Sequence, residues 1–215
     1  MKIAVIGATG FVGANIIKEL ANRNHSVTAI SRNLKETDHS HIHVVSADVT
    51  DINKLAEILK GNDVVISAFN AGWSNPNLYN DFLEGSKAIQ EAVKMAGIKR
   101  YIFIGGAGSL FVADGVQAVD TPDFPKEIYP GASSARDYLN LLKDEKQLDW
   151  VFFSPAFEMH PGITTGRTGK YRLGKDHPVL DENNRSYLSV EDLAVVIADE
   201  TEQPKHHQER FTAGY

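Results

Sequence analysis

Residues 2–14 read Lys2-Ile-Ala-Val-Ile6-Gly7-Ala-Thr-Gly10-Phe-Val-Gly13-Ala14: an apolar run, three glycines in every third place, and the start of an amphipathic stretch. Few folds use such a segment. A buried strand enters a tight turn at Gly7, and a helix leaves it carrying Phe11, Val12, Ile16, Ile17 and Leu20 on its apolar side. Gly7 takes backbone angles closed to other residues. Gly10 lets a ligand approach the main chain, and Gly13 lets the helix lie close to the sheet. The free N–H groups of the first helical turn, with the positive end of the helix dipole, then face an anion. In its strand–turn–helix setting the turn predicts a dinucleotide site at Gly7, Thr9, Gly10, Phe11, Val12 and Gly13.

The remaining sequence alternates short apolar runs with helical patterns. Strands are predicted near Lys2–Ile6, Ser26–Ile30, His43–Ser46, Asp63–Ala68, Arg100–Ile104 and Trp150–Phe153, and helices near Phe11–Arg23, Ile52–Leu59, Pro76–Ala96 and Ser133–Lys146. This rhythm predicts an α/β fold of Rossmann type, a doubly wound parallel sheet with helices on both faces. Beyond Phe153 it changes. A capping box at Ser189-Val-Glu-Asp192 opens a helix to about Thr201, and a last strand, Arg210–Ala213, is expected at the sheet edge. With 215 residues, one domain over 1–215 is expected, to which 154–187 and 202–215 contribute a small substrate-side region and an edge strand.

Composition excludes several chemistries. No cysteine is present, so disulfides, thiolate catalysis and cysteine-ligated metals are ruled out. A net charge of −6 disfavours nucleic acid or an anionic membrane as partner. No apolar run reaches the roughly 18 residues a membrane span needs. A cytoplasmic protein, monomer or homodimer, with a small-molecule acceptor is expected. His39, His41 and His43 alternate but lack a carboxylate partner, and are read as polar turn and edge residues, with no metal.

Ligands of such sheets bind beyond the carboxyl ends of the strands. After the second strand stand Ser31 and Arg32, with no acid to accept a ribose 2′-hydroxyl. A guanidinium suits a 2′-phosphate, so NADP(H) is favoured and NAD(H) stays possible. Arg32 as a solvated turn residue is the plainer alternative. Asp48 and Val49 follow the third strand, where the segment Asp48–Asp51 can also cap the next helix. Ala68, Phe69 and Asn70 follow the fourth, and Gly106 and Pro155 follow later strands. All are expected along the cofactor.

The turn Gly7-Ala-Thr-Gly10-Phe-Val-Gly13 resembles that of the atypical short-chain dehydrogenase/reductases. The segments Gly105-Gly-Ala-Gly-Ser-Leu110, Val119-Asp-Thr-Pro-Asp-Phe-Pro125, Thr168-Gly-Lys-Tyr-Arg-Leu-Gly174 and Arg210-Phe-Thr-Ala-Gly-Tyr215 are similar to those of its NADH-flavin reductase subgroup. Biliverdin reductase B-like enzymes and NmrA-like regulators are more distant relatives. The resemblance implies an acid near Asp48 at the adenine edge, and a nicotinamide ribose near Ala68–Asn70. The wider superfamily uses a serine and a Tyr-x-x-x-Lys pair. In this chain Tyr138 precedes Leu142 and Tyr129 precedes Ser133 at that spacing. Counting back from Ser154-Pro155 puts the tyrosine position near Ala132 and the lysine position near Arg136.

Ser109, Arg136 and His160 are therefore the catalytic candidates; a turn serine and a plain loop histidine are the alternatives for the first and last. Trp73, Phe111 and Phe157 offer flat faces for an isoalloxazine or quinone, or serve only in packing. An NAD(P)H-dependent reductase acting on a flavin, quinone or similar flat acceptor is the leading expectation, with flavin as substrate or acceptor. A non-catalytic redox sensor of NmrA type is the alternative, and an epimerase with tightly held NAD is a third.

Overall fold

The computed structural model describes residues 1–33 and 38–215. The first half runs β1 (Lys2–Ile6), α1 (Phe11–Asn22), β2 (Ser26–Ser31), β3 (Ile42–Ser46), α2 (Ile52–Leu59), β4 (Val64–Ser67), α3 (Leu78–Met95) and β5 (Arg100–Ile104). A 3₁₀ turn at Ala107–Ser109 leads into the hairpin β6 (Phe111–Ala113) and β7 (Val116–Gln117). Then come α4 (Tyr129–Leu142), β8 (Asp149–Ser154), β9 (Arg172–Gly174), α5 (Val190–Glu202) and β10 (Glu209–Gly214).

Eight strands form one sheet in the order β3-β2-β1-β4-β5-β8-β10-β9. All neighbours run parallel except β9, which is antiparallel to β10. This is the expected doubly wound α/β fold. Strands β4 and β5 are buried at every residue, because helices cover both faces. Successive side chains of β1 alternate between two cores. Ala4 and Ile6 join Leu55, Phe82, Phe103, Tyr138 and Phe152 under α2, α3 and α4. Ile3 and Val5 join Ile16, Leu20, Val196 and Phe211 under α1 and α5.

Three expectations need correction. The last strand is not the edge: β10 lies between β8 and β9, and the short β9 closes the sheet. Its three residues, after a Gly- and Thr-rich stretch, carry too little period-two signal to read from sequence. Helix α4 begins at Tyr129 rather than Ser133, because Pro130 occupies the first turn, where a missing N–H is harmless. The capping box before α5 is only half formed. Ser189 accepts from Asp192 N at 3.1 Å, but the Asp192 carboxylate turns away to Thr168, Gly169 and the Tyr215 hydroxyl. The Ser189 amide donates to Tyr215 instead, at 3.3 Å.

The chain steps outward from β1 to β2 and β3, then crosses back to β4 on the other side of β1. The topological switch point of the sheet, where such folds open a crevice, therefore lies at the carboxyl end of β1.

Candidate functional site: a cleft over the first glycine turn

Gly7 has φ of +83°, and a Cβ there would lie 2.4 Å from the carbonyl oxygen of Ala68. The turn is thus pressed against the end of β4. Its amide and that of Ala8 both donate to Ile30 O, at 3.0 and 3.1 Å, which joins it to β2. A Cβ on Gly13 would lie 2.2 Å from Gly7 O, so only glycine lets α1 rise this close to the turn. Among the described residues no side chain caps α1, and its first turn holds no acid. The amides of a helix's first turn have no intrahelical partner. Here they stand ready for an anion beside Gly10.

A cleft of about 330 Å³ opens at this point. Gly7, Thr9, Gly10, Ser31, Arg32, Asp48, Val49, Ala68, Phe69 and Asn70 all line it, which brings together ten of the residues read from the sequence as cofactor contacts. Phe11, Val12, Gly13, Gly106 and Pro155 are not among its walls. Phe11 and Gly13 belong to α1 itself, and Gly106 and Pro155 follow β5 and β8, further along the sheet.

At the β2 side, the hydroxyls of Thr9 and Ser31 lie 2.9 Å apart. Arg32 is exposed beside them, its carbonyl accepting from Ser46 Oγ at 3.1 Å. Asp48, a lining residue of the cleft, accepts from the amide and hydroxyl of Thr50 at 2.9 and 2.8 Å, both at Oδ1, which leaves Oδ2 over as an acceptor. Those two bonds, with the charge of Arg32, hold the exposed Asp48 carboxyl below the usual carboxylate range. Within the segment expected to cap the next helix, Asp51 is the cap of α2, accepting from Lys54 N at 3.1 Å, while Asp48 closes a local turn on Thr50 and keeps one oxygen over. Asn70 also has a local bond, accepting from Gly72 N at 2.7 Å.

The sequence reading missed the far wall, made by Asn75, Asp81, Glu84 and Gly85 around the start of α3. Phe69 packs onto Gly85, where a Cβ would lie 2.5 Å from its ring, and it stacks on Phe82 at 6.2 Å. Gly85 in the middle of a predicted helix was the available signal, since a helix-interior glycine marks close approach.

The three catalytic candidates share no direct hydrogen bond, although Gln117 bridges two of them, donating to Ser109 O at 2.9 Å and accepting from Arg136 at 3.4 Å. Ser109 is buried, and its hydroxyl faces Arg210 Nη1 at 3.2 Å. Arg136 is committed to Asp137 at 2.5 Å and Asp120 at 3.1 Å, which raise its pKa against its burial. His160 Nδ1 accepts from Gly162 N at 3.1 Å, a bond within its own turn. Near α4, a Cβ on Gly108 would lie 3.0 Å from that of Ala132, so the helix packs directly on the turn after β5. Tyr101 and Tyr138 are fully buried, 3.4 Å apart, and burial pushes both phenols up in pKa.

The aromatic candidates are spread out. Trp73 is 63 % exposed and lies over Gly131 of α4. Phe157 is exposed. Phe111 is half-buried against His177 and Arg210. Among the described residues, no group of three or more His, Asp or Glu is placed to hold a metal ion. His206 and His207 instead pair with Glu200 and Asp149. No helix among the described residues is long and apolar enough to cross a membrane.

A doubly wound sheet with an uncapped helix over a glycine turn at its switch point defines a dinucleotide-binding protein. Comparison with known proteins gives the family: its NAD(P)H-binding profile matches residues 7–204, and the chain belongs to it, within the atypical short-chain dehydrogenase/reductases. The chain is 39% identical over 214 residues to the uncharacterized protein YwnB of Bacillus subtilis, covering 99% of this chain and 97% of that one. A solved "putative epimerase" from Bacteroides thetaiotaomicron is 46% identical, with a TM-score of 0.91 over 100% of this chain and 96% of the other. A solved "putative NADH-flavin reductase" from Streptococcus pneumoniae is 33% identical, with a TM-score of 0.86 over 100% and 99%. The two solved structures carry different reaction names.

Proposed function

We propose that the chain is a reductase that binds NADPH in preference to NADH and passes hydride to a flavin, quinone or similar flat acceptor. The observation that carries the reading is the open N-terminus of α1 together with the Thr9–Ser31–Arg32 group on the β2 side of one cleft. The α1 amides would hold the pyrophosphate, Asp48 Oδ2 and Val49 the adenine, and Arg32 a ribose 2′-phosphate. The cofactor supplies the hydride; the protein orients it and its acceptor. Gly106 and Pro155, beyond β5 and β8, would border the nicotinamide.

An epimerase or carbonyl reductase needs a positioned group that exchanges a proton with a hydroxyl or carbonyl. The position counted as tyrosine is Ala132, packed on the turn after β5, and Arg136 cannot act as a base. Flavin N5 takes hydride while solvent supplies protons, so the flat acceptor fits this site better. Trp73 and Phe157 are the exposed rings nearest in sequence to β4 and β8. A cytoplasmic setting, where reduced pyridine nucleotide is made, goes with this reading, as does a small-molecule partner without nucleic acid.

The second reading, a non-catalytic sensor, is favoured by one observation: the cleft is walled on the adenosine side and includes neither Gly106 nor Pro155. Loss of reduced-nicotinamide absorbance with FMN, FAD, riboflavin or quinones tests the pair. Saturable turnover supports the reductase. Calorimetric binding of NADPH with no turnover of any acceptor supports the sensor, and no binding of either nucleotide overturns both.

A further inference from the structure

Arg210 of β10 is nearly buried, at 6 % exposure, and lies outside the adenosine cleft. Its donors are divided between two segments remote in sequence. Nη1 donates to the carbonyl and the hydroxyl of Ser109. Nε and Nη2 donate to one carboxylate oxygen of Asp176, in the loop after β9. That loop makes a second tie: Asp176 O accepts from Phe111 N at 2.8 Å, and His177 Nδ1 meets Phe111 O at 2.9 Å. Ser109 in turn lies 3.4 Å from Gly106 O and 3.4 Å from Ser154 Oγ at the end of β8. One buried cation thus joins the turn after β5, the loop after β9 and the interior of β10.

Burying an arginine is unfavourable unless its charge and donors are met, and an apolar side chain of like volume often packs there with equal or greater stability. The forked guanidinium has a geometric merit that an apolar group lacks, since it fixes two partners in one plane. The turn that it holds lies at the carboxyl end of β5, beside the end of β8 at Ser154, where ligands of this kind of sheet bind. Misplacing a reacting pair by an ångström lowers hydride transfer steeply.

We infer that Arg210 and Asp176 are positioning residues for the hydride-transfer end of the site, holding the Gly106–Ser109 turn against Ser154 and thereby setting where the acceptor lies on the nicotinamide. The inference rests on the redox reading above. Neither residue borders the adenosine cleft, so positioning the acceptor and holding the cofactor separate in experiment.

The test uses Asp176→Ala, Asp176→Asn and Arg210→Lys in the full chain. Asp176 is half exposed, so its variants are expected to fold. The positioning role predicts an NADPH Kd within about twofold of the parent and a kcat at saturating acceptor lowered about tenfold or more in Asp176→Ala and Arg210→Lys. Asp176→Asn, which keeps an acceptor oxygen, recovers part of that loss. In the NADPH complex, Asp176→Ala also shifts the nicotinamide proton resonances and speeds amide exchange over residues 106–112. A kcat within about twofold of the parent, or a parallel fall in kcat, cofactor affinity and Tm, overturns the role. If the parent reduces no acceptor, the redox reading falls by itself. Positioning of the nicotinamide end is then judged on the resonances and exchange in the NADPH complex, and unchanged values overturn it.

Discussion

The hydroxyls of Thr9 and Ser31 lie 2.9 Å apart, one in the glycine turn after β1 and the other at the end of β2. Arg32 follows directly and lines the same cleft. On the proposed reading these two hydroxyls and the guanidinium would hold the ribose 2′-phosphate, since charged hydrogen bonds to phosphate are among the stronger ones. Arg32→Ala is expected to weaken NADPH about 10- to 100-fold, from the loss of about 1.5–3 kcal/mol. NADH should change by less than about twofold. Calorimetric titration of both nucleotides checks this, and equal losses would remove the 2′-phosphate assignment.

Gly10 and Gly13 are predicted to fail in different ways. A Cβ on Gly10 approaches only Gly7 O, at 3.3 Å, and Gly10 is exposed at the open end of α1. Gly10→Val should fold, with Tm lowered by no more than about 5 °C, and lose NADPH binding about 100-fold or more as the phosphates are kept from the amides. A Cβ on Gly13 meets backbone at 2.2 Å, so Gly13→Val should destabilise by about 3 kcal/mol or more. Thermal melts beside fluorescence titrations separate the two.

Phe69 is seated on Gly85 beside Val49 and lines the cleft, so on the proposed reading it borders the adenosine rather than the nicotinamide ribose. Gly85→Ala drives the ring toward the cleft, because a Cβ has no room beneath it. NADPH affinity should fall about tenfold, while reduced nicotinamide mononucleotide, which lacks adenosine, is unaffected. A matching loss for the mononucleotide would place the effect elsewhere.

Glu19 supplies a pH prediction. Arg167 chiefly, and Arg23 with it, hold this buried carboxyl below its ordinary value of 4.5, against the opposing effect of burial. A carboxyl lowered by folding stabilises fully above its unfolded value, and loses that contribution as pH falls through the lower folded value. Glu19→Gln should therefore cost about 2 kcal/mol at neutral pH, the scale of a hydrogen bond to a charged group. The gap to the parent should close as the medium is acidified below 4.5. Urea melts across the acid range check it; a gap that widens on acidification would contradict the assignment.

The parallel core was legible because its strands announce themselves. Val64–Ser67 and Arg100–Ile104 lie among continuous apolar runs, and Gly7, Gly10 and Gly13 set the turn between β1 and α1. That residues from Thr9 to Asn70 line one cleft followed from one rule, that ligands lie beyond the strand ends. What lay hidden depends on long-range partners. The three residues of β9 are a strand only because β10 offers an edge. Asp192 has the sequence of a reciprocal cap, yet is recruited by Thr168, Gly169 and Tyr215. Arg136 stands in a position that suggests a ligand, but Asp120 and Asp137 reach it first. Arg210 gives no local signal, since its partners lie about a hundred residues back at Ser109 and 34 back at Asp176.

Because β10 lies between β8 and β9, its order in synthesis and its place in the sheet are opposed. While a ribosome is still adding residues 209–214, β8 has one flank uncovered and β9 has no strand to pair with. That half of the molecule can close only after translation has passed this segment. Until then the bare flank of β8 is where a nascent chain would join a neighbour's strand or meet a chaperone.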